Sequence, residues 1–248
     1  MSARGRYIAL EGFDGSGKST QAEMLATHLD AVATREPGGT PLGASLREVL
    51  LHSPSENAPA ARTEALLFAA DRSQHIATVV APALEAGRDV VTDRSYGSTL
   101  AYQGYGRGLP LDELRSLIDY ASRRPAGASS ELPEIILPDV VVLLDVPLVD
   151  ADRRVHHLDR VGGEQMSLLE SGSTGESTAD PEAGQPGSDG PDRLEGEALH
   201  FALRVWRSYR ELCNAEPDRW VRVDAAGSVS KVAERVRAAV AEHPAMAD

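Results

Sequence analysis

Residues 12–19 read Gly-Phe-Asp-Gly-Ser-Gly-Lys-Ser, and this stretch decides the fold. Two glycines flank four residues and are followed by lysine and serine, which is the pattern of a phosphate-binding loop. Glycine lets the backbone close around an anion without a Cβ clash, and the loop N–H groups then point at phosphate oxygens. In such loops the lysine contacts the β- and γ-phosphates and the hydroxyl ligates Mg²⁺. The motif therefore predicts a nucleoside triphosphate site whose nucleotide-binding residues are Gly12, Phe13, Asp14, Gly15, Ser16, Gly17, Lys18, Ser19 and Thr20.

The flanking sequence gives this loop the expected setting. Residues 7–10, Tyr-Ile-Ala-Leu, form a short apolar run typical of a buried parallel strand. Downstream, Ala22, Leu25, Ala26 and Leu29 recur at helical spacing. The order strand, loop, helix would place the phosphate at a helix N-terminus, where free N–H groups and the helix dipole favour an anion.

Composition and charge restrict the classes of function. The chain has 248 residues, 42% of them hydrophobic, which is enough for a core, and it contains no apolar run long enough to span a membrane. The formal net charge of −13 argues against broad nucleic-acid binding, which needs a basic face. A single cysteine, Cys213, excludes an internal disulfide and, with no apolar signal region at the N-terminus, predicts a cytoplasmic protein.

Apolar strand candidates alternate with helical stretches along the chain. The strand candidates are 7–10, 32–34, 90–92, 140–146 and 220–223, and the helical stretches are 42–51, 60–86, 111–122, 193–213 and 229–241. Such alternation predicts an α/β fold, with a five-stranded parallel sheet and helices on both faces, in one domain covering residues 1–248. Pro82 is expected to kink or divide the 60–86 helix.

Two segments interrupt this alternation. Residues 123–137 contain two prolines and a serine pair and are predicted to be a loop. Residues 161–192 hold seven acidic residues, no Lys or Arg, and few large apolar groups. Because that composition buries too little surface to offset chain entropy, the segment is predicted to be disordered.

Four further strings carry a family resemblance. They are Thr-Arg-Glu-Pro-Gly-Gly-Thr at 34–40, Asp-Arg at 93–94, Ala-Tyr-Gln-Gly at 101–104 and Asp-Arg-Leu-Glu at 192–195. Together with residues 11–20 they resemble the thymidylate kinase family, over nearly the whole chain from residue 6 to about 240 apart from 161–192. The resemblance implies a P-loop kinase that transfers the γ-phosphoryl group of ATP to dTMP for dTTP biosynthesis. It also implies Mg²⁺, a mobile lid at about 150–195 and a homodimer.

The resemblance implies an acceptor site for the nucleoside of dTMP. Asp14 would accept a hydrogen bond from the sugar 3′-hydroxyl, and Phe68 would stack on thymine, a contact worth about 1–3 kcal/mol in other base-binding sites. Arg72 would bond the thymine carbonyl, and Gln103 would read the base edge with its amide. Thr99 stands at a small polar position near the sugar or base.

The resemblance also assigns the charges around the phosphates. Arg94 and Arg47 would hold the acceptor phosphate, and Asp93 would organise Mg²⁺ with Ser19. Some family members carry an arginine within the P-loop, where this chain has Gly15, so the charge must come from the lid. Arg153 and Arg154 are the predicted lid donors beside catalytic Lys18, Asp14 and Arg94, while Arg160 is the weaker candidate and Arg193 lies at the far end of the expected lid.

The chain departs from the family pattern at three places, one of which is Thr99, where the family often has serine. Asp93-Arg94 is followed by Ser95, with a tyrosine one residue later, where the family usually has tyrosine directly after the arginine. The larger departure is the acidic segment 161–192 inside the lid, which is either an inert extension or a competitor with phosphate for the lid arginines.

Two alternatives remain open on the sequence. The nearer is another nucleoside or nucleotide kinase of the same fold, since one methyl group separates thymine from uracil and is worth only about 1–3 kcal/mol. The more distant is a GTP-binding switch or a partner-driven ATPase. A guanine-reading Asn-Lys-x-Asp string is absent from the sequence, which disfavours the switch.

Overall fold

The computed structural model describes residues 4–52, 57–129, 132–147, 150 and 193–247. A parallel sheet has the strand order β2-β3-β1-β4-β5. Its strands are β1 (Tyr7–Glu11), β2 (Val32–Arg35), β3 (Val90–Asp93), β4 (Val140–Asp145) and β5 (Trp220–Asp224). The predicted five-stranded parallel sheet is therefore confirmed, and β1 lies at its centre.

Helices connect these strands. They are α1 (Lys18–Leu29), α2 (Pro41–His52), α3 (Ala61–His75), α4 (Ala81–Glu85), α5 (Tyr96–Thr99), α6 (Leu111–Ala121), α7 (Arg193–Ala215) and α8 (Val229–Ala241), with a 3₁₀ turn at Pro244–Met246. The helical path of α3 continues into α4 through a π-helical turn, Ile76–Val80. Pro82 lies just after this turn and has no N–H for the helical ladder, so the predicted division of the 60–86 stretch is seen here.

The two faces of the sheet pack against different helices. Ile8 and Leu10 of β1 belong to a core with α1 and α8, whereas Ala9 between them packs with α3, α5, α6 and α7. Side chains alternate across a strand, so consecutive residues of a central strand serve opposite layers. All three residues are fully buried, as expected for a parallel sheet covered on both faces.

A helical segment that the sequence did not predict follows β3. It comprises α5 and a π-helical continuation, Leu100–Gly106. Its glycines at 97, 104 and 106 argue against a helix by propensity. A Cβ at Gly97 would lie 2.6 Å from Trp220, and one at Gly106 would lie 2.6 Å from Phe201. Close packing against residues distant in sequence therefore explains Gly97 and Gly106, and helix propensity alone gave the wrong expectation for this segment.

The sequence predicts a loop at 123–137 and disorder at 161–192. The predicted 123–137 loop lacks a helix or ladder in its described part and carries an isolated bridge between Arg123 and Ile135. The acidic segment 161–192 lies outside the described residues. Within the described parts of the chain, every helix is too short or too polar to cross a bilayer.

Candidate active site

The glycine-rich loop connects β1 to α1 at the carboxyl edge of the sheet. Gly12 has φ 148° and Gly17 has φ 92°, values that side-chain-bearing residues rarely adopt. A Cβ on Gly12 would also lie 2.8 Å from the Leu144 carbonyl oxygen. Gly17 is the N-cap of α1, so the loop leads directly into the helix N-terminus that favours an anion.

Lys18 is the first residue of α1 and is only 6% exposed. Its Nζ donates a hydrogen bond to the Phe13 carbonyl oxygen at 2.9 Å, so the ammonium is folded back over the loop. Burial and then the nearby Arg94 charge lower the pKa of Lys18 to about 8, although the Asp14 and Asp93 carboxylates oppose this shift. A nucleotide phosphate beside Lys18 would place a negative charge there and raise the pKa of the lysine again.

Ser19 and Asp93 place two side-chain oxygens side by side next to the loop. The Ser19 hydroxyl donates to Asp93 Oδ2 at 2.6 Å, and Asp93 Oδ1 is buried with no hydrogen-bond partner among the described residues. Mg²⁺ prefers oxygen ligands and usually takes only one or two from protein, the rest coming from phosphate and water. The two side chains therefore fit a Mg²⁺ ion.

Arg94 follows β3 and lies between the loop and α7. Its φ of 71° is in the left-handed region, which non-glycine residues adopt at some cost. One terminal nitrogen donates to the Ser98 hydroxyl at 2.9 Å and the Tyr209 hydroxyl at 3.1 Å, and the other pairs with Asp14 Oδ1. These contacts fix the guanidinium beside the phosphate-binding loop.

Glu11 supports Arg94 from beneath. It is fully buried at the end of β1 and accepts hydrogen bonds from the Ser95 N–H at 2.8 Å and the Ser98 hydroxyl at 2.6 Å. Burial raises its pKa despite these bonds and the Arg94 charge. The Tyr209 hydroxyl also donates to Glu11, at 3.3 Å, which joins helix α7 to the same network.

Asp14 lies at the junction of the loop and the network. Tyr102 donates its hydroxyl hydrogen to Asp14 Oδ2 at 2.8 Å. Burial acts to raise the pKa of Asp14, but the charges of Arg94 and Lys18 outweigh it and the pKa is lowered. Asp14 is therefore held as an acceptor with both oxygens engaged.

A cavity of about 400 Å³ opens beside Arg94. The seven residues predicted to bind the acceptor all line it, namely Asp14, Arg47, Phe68, Arg72, Arg94, Thr99 and Gln103. They come from the loop, α2, α3 and the segment after β3, so tertiary folding brings them together. Their roles toward a ligand stay predictions.

The floor of this cavity is a buried ion network. Arg72 donates to Glu36 at 3.0 Å and to the Thr99 hydroxyl at 3.1 Å. His75 also reaches Glu36, at 2.9 Å. Burial would raise the pKa of Glu36, but Arg72 and His75 together lower it. Arg72 is thus rigidly held, and its second terminal nitrogen has no hydrogen-bond partner among the described residues.

Arg47 closes the cavity from α2. It donates to the Pro37 carbonyl oxygen at 3.0 Å, and its side chain lies against Gly38, where a Cβ would be 3.0 Å from Arg47 Cδ. Burial and the neighbouring Arg35 lower the pKa of Arg47. Such mutual repulsion between arginines leaves room for an anion.

A second cavity covers the glycine-rich loop and shares a wall with the first. Residues 14–21 line it together with Arg35, Asp93 and a patch of α8 and the loop before it. Four residues line both cavities, namely Asp14, Glu36, Arg47 and Arg94. The two cavities therefore meet at two arginines, Arg47 and Arg94, beside two carboxylates.

Sequence reasoning missed several residues of the site. Glu11 and Tyr102 stand inside quoted motifs but received no role, and position within those motifs was the available signal. Glu64, Phe201 and Tyr209 carried no local signal, yet Glu64 and Phe201 line the 400 Å³ cavity and the Tyr209 hydroxyl accepts a hydrogen bond from Arg94. Helix α7 follows the long acidic segment, so nothing in its own pattern links it to the loop.

Most residues of the predicted lid, about 150–195, lie outside the described residues. Arg153, Arg154 and Arg160 and the acidic segment 161–192 are outside the described residues. Arg193 begins α7. The lid arginines stay predictions.

Comparisons with known proteins agree with this geometry. A protein-family model described as thymidylate kinase matches residues 10–170. The thymidylate kinase of Synechococcus sp. (strain RCC307) is 40% identical over 250 residues, which cover 96% of this chain and 97% of that protein. The thymidylate kinase of Leifsonia xyli subsp. xyli (strain CTCB07) is 41% identical over 238 residues, covering 94% and 93%.

A solved structure supports the fold. The crystal structure of thymidylate kinase from Ehrlichia chaffeensis superposes with a TM-score of 0.65 and 23% identity, covering 95% of this chain and 98% of that one. At this identity the likeness concerns the fold, and it agrees with the P-loop architecture described above.

Proposed function

The chain belongs to the thymidylate kinase family, and on that basis we propose that it phosphorylates dTMP with ATP as donor and Mg²⁺ as the metal. Membership makes it a nucleotide-binding transferase of deoxynucleotide biosynthesis that converts dTMP to dTDP. It also removes the GTP-binding switch and the partner-driven ATPase from consideration. The choice of ATP and Mg²⁺ is the finer part of the proposal.

The observation that carries the proposal is the shared wall of the two cavities. A phosphate-binding loop lies on one side, a cavity of about 400 Å³ on the other, and Arg94 and Arg47 line both. An in-line transfer needs donor and acceptor phosphates to meet where positive charge is held in place. The junction of the two cavities supplies that charge.

The acceptor nucleoside is proposed to occupy the 400 Å³ cavity. Phe68 and Phe201 supply apolar surface for the base, while Arg72 and Gln103 supply polar contacts to its edge. Thr99 is already bonded to Arg72 and so holds that arginine toward the base. Asp14 would accept the sugar hydroxyl, in addition to the Tyr102 hydroxyl that it already accepts.

Donor phosphates are proposed to lie in the glycine-rich loop. Lys18 would exchange its bond to the Phe13 carbonyl for the β- and γ-phosphates. Mg²⁺, when bound, neutralises phosphate charge, and Ser19 and Asp93 are the side chains that would hold it. Arg94 and Arg47 orient the acceptor phosphate, and Arg94 remains fixed by Ser98 and Tyr209 while it does so.

The lid and the domain organisation remain part of the proposal. We place the lid at about 150–195 in a single domain of residues 1–248, with Arg153 and Arg154 as its donors to the transferring group. Gly15 in the loop carries no charge, and this is the reason to expect the catalytic arginine in the lid. An arginine closing over the transferring phosphoryl group contributes about 10³–10⁵ in rate in GTPases, and a lid arginine would act in the same way.

The proposal includes a homodimer built on α2 and α3. Leu42 and Val49 of α2 and Leu66 of α3 are 51%, 46% and 59% exposed, although apolar groups of this size usually gain from burial. A second copy packed on this face would cover them. We expect sedimentation of the parent to give twice the mass of one chain, and sedimentation of Leu66→Glu to give the mass of one chain. A single-chain mass for the parent would contradict the dimer.

The proposed compartment is the cytoplasm, because a reducing environment suits the free Cys213.

The reaction is tested by ADP release with dTMP, dUMP, dCMP and dGMP as separate acceptors. We expect release to depend on dTMP, on ATP and on Mg²⁺, with dTDP as the second product by phosphorus NMR. An equal rate of ADP release with and without a nucleoside monophosphate would contradict phosphoryl transfer to a nucleotide. Faster turnover of another monophosphate than of dTMP would instead identify a different kinase of this fold.

A further inference from the structure

The Gln103 amide has a carboxylate neighbour that was not expected from the sequence. Gln103 is 3% exposed, and its Nε2 donates to Glu64 Oε1 at 2.8 Å. Glu64 lies on the first turn of α3, one turn before Phe68 on the same helix face. Both residues line the acceptor cavity, so this pair forms part of its wall.

A carboxylate imposes a direction on the amide. An ionised carboxylate only accepts hydrogen bonds, whereas an amide has a donor end and an acceptor end of nearly equal shape. Glu64 therefore accepts the Nε2 end and rejects the Oε1 end. Arg107 binds the same carboxylate, with NH2 3.1 Å from Oε2, and so holds Glu64 in place.

The opposite end of the amide is thereby assigned to the cavity. No hydrogen bond joins Gln103 Oε1 to another residue in the described ranges, and Nε2 is turned to Glu64. We propose that Glu64 is a specificity-determining positioning residue, which presents the Gln103 carbonyl oxygen to the acceptor base. The inference deepens the proposed acceptor site and rests on Gln103 reading the base.

The direction of the amide selects among pyrimidines. Thymine presents an acceptor at its C4 carbonyl and a donor at its N3–H, while cytosine presents a donor at its amino group and an acceptor at N3. The Arg72 guanidinium as donor and the Gln103 carbonyl oxygen as acceptor fit the thymine order. Cytosine would instead set its amino N–H against the guanidinium and its N3 lone pair against the carbonyl oxygen. A buried polar group left without a partner costs about 1–3 kcal/mol, so each mismatch weakens binding.

Glu64→Gln removes this direction with almost no change in size. The new amide can accept from Gln103 Nε2 or donate to Gln103 Oε1, and Arg107, which donates at the Oε2 position, favours the second arrangement. The apparent affinity for dTMP then falls with the population of the thymine orientation, by about twofold where half remains. The orientation that donates to cytosine N3 rises from scarce to half or more, so kcat/KM for dCMP should increase about tenfold or more, while the mismatch between Arg72 and the cytosine amino group remains.

The expected change is therefore one of selectivity. The ratio of kcat/KM for dTMP to that for dCMP should fall about tenfold or more, while kcat at saturating dTMP and the melting temperature stay near the parent values. A merely structural role for Glu64 would lower both activities in parallel and leave the ratio constant. An unchanged ratio in a folded Glu64→Gln protein would overturn the proposal.

Two further variants separate this inference from the proposed acceptor site. Gln103→Leu should lower the ratio by itself, and adding Glu64→Gln to it should change nothing more, because the amide is gone. Arg123→Gln breaks the exposed Arg123–Glu134 ion pair, which lies outside the acceptor cavity, and its ratio should match the parent. If Gln103→Leu changes the ratio and Glu64→Gln does not, Gln103 reads the base without Glu64. If neither changes it, the role of Gln103 in the acceptor site falls as well.

Discussion

Replacing Lys18 with methionine is expected to lower kcat for dTMP phosphorylation by about 10²–10³-fold, because one preorganised donor aimed at developing charge has this effect. Lys18 is buried at the start of α1 and reaches back to the Phe13 carbonyl at 2.9 Å, so its ammonium is already placed at the loop. Methionine keeps the length of the side chain and removes the charge. Steady-state kinetics with dTMP, ATP and Mg²⁺ measures the loss.

The control for this variant is the other lysine of the chain. Lys231 is an exposed residue of α8, and the chain has only these two lysines. Lys231→Met should retain parent kinetics and melting temperature. A Lys18→Met protein that melts like the parent and keeps its kcat would remove Lys18 from the reaction.

Lys18 also predicts a pH dependence for nucleotide binding. Its pKa is lowered to about 8 by burial and the Arg94 charge, and bound phosphate would raise it again. Below about pH 8 the lysine is protonated with or without nucleotide, so affinity should be constant there. Above pH 8 the free protein loses this proton first, so affinity should fall as pH rises and binding should take up a proton. Calorimetry at pH 8.5 in buffers of different ionisation enthalpy measures that proton, and Lys18→Met should abolish it.

Replacing Arg94 with methionine is expected to lower kcat/KM for dTMP by about 10²–10³-fold. The guanidinium pairs with Asp14, is held by Ser98 and Tyr209, and lines both cavities. Loss of this group removes charge at the meeting point of the two phosphates and releases Asp14. Arg94→Lys should recover only part of the activity, because an ammonium lacks the planar fork that contacts Asp14, Ser98 and Tyr209 together.

The pH dependence of the melting temperature of Arg94→Met reports on Glu11. Glu11 is fully buried, burial already raises its pKa, and the Arg94 charge partly offsets that rise. Without Arg94 the pKa of Glu11 should rise further. A raised carboxyl pKa means that the folded state keeps its proton longer, so stability is lost as pH rises through the folded-state pKa. Arg94→Met should therefore melt closer to the parent at pH 5 than at pH 8.

The matched control lies at the other end of the same strand. Arg88 is exposed just before β3, whereas Arg94 follows its carboxyl end. Arg88→Met should leave kinetics and melting unchanged. Equal losses in the two variants would show that any arginine near this strand matters only for folding. Parent-like kcat/KM in Arg94→Met would remove Arg94 from the site.

The sequence alone determined the fold and the donor side of the site. A strand, a glycine-rich loop and a helix are encoded by neighbouring residues, so Gly12, Lys18 and the strand at residues 7–10 could be interpreted locally. The family resemblance then predicted seven acceptor-site residues, and the structure brings all seven around one cavity. Propensity failed in the segment after β3, where glycines are required by packing against Trp220 and Phe201 rather than by a turn.

Only the tertiary structure decided which groups hold those residues in place. Tyr209 meets Glu11 across 198 positions of sequence, and Gln103 meets Glu64 across 39. Sequence periodicity reports which face of a helix is buried, and it carries no information about which residue of another element lies opposite. A motif can therefore name Arg94 and Gln103, but the direction of a guanidinium or an amide depends on its hydrogen-bond partners, and packing of distant elements supplies them.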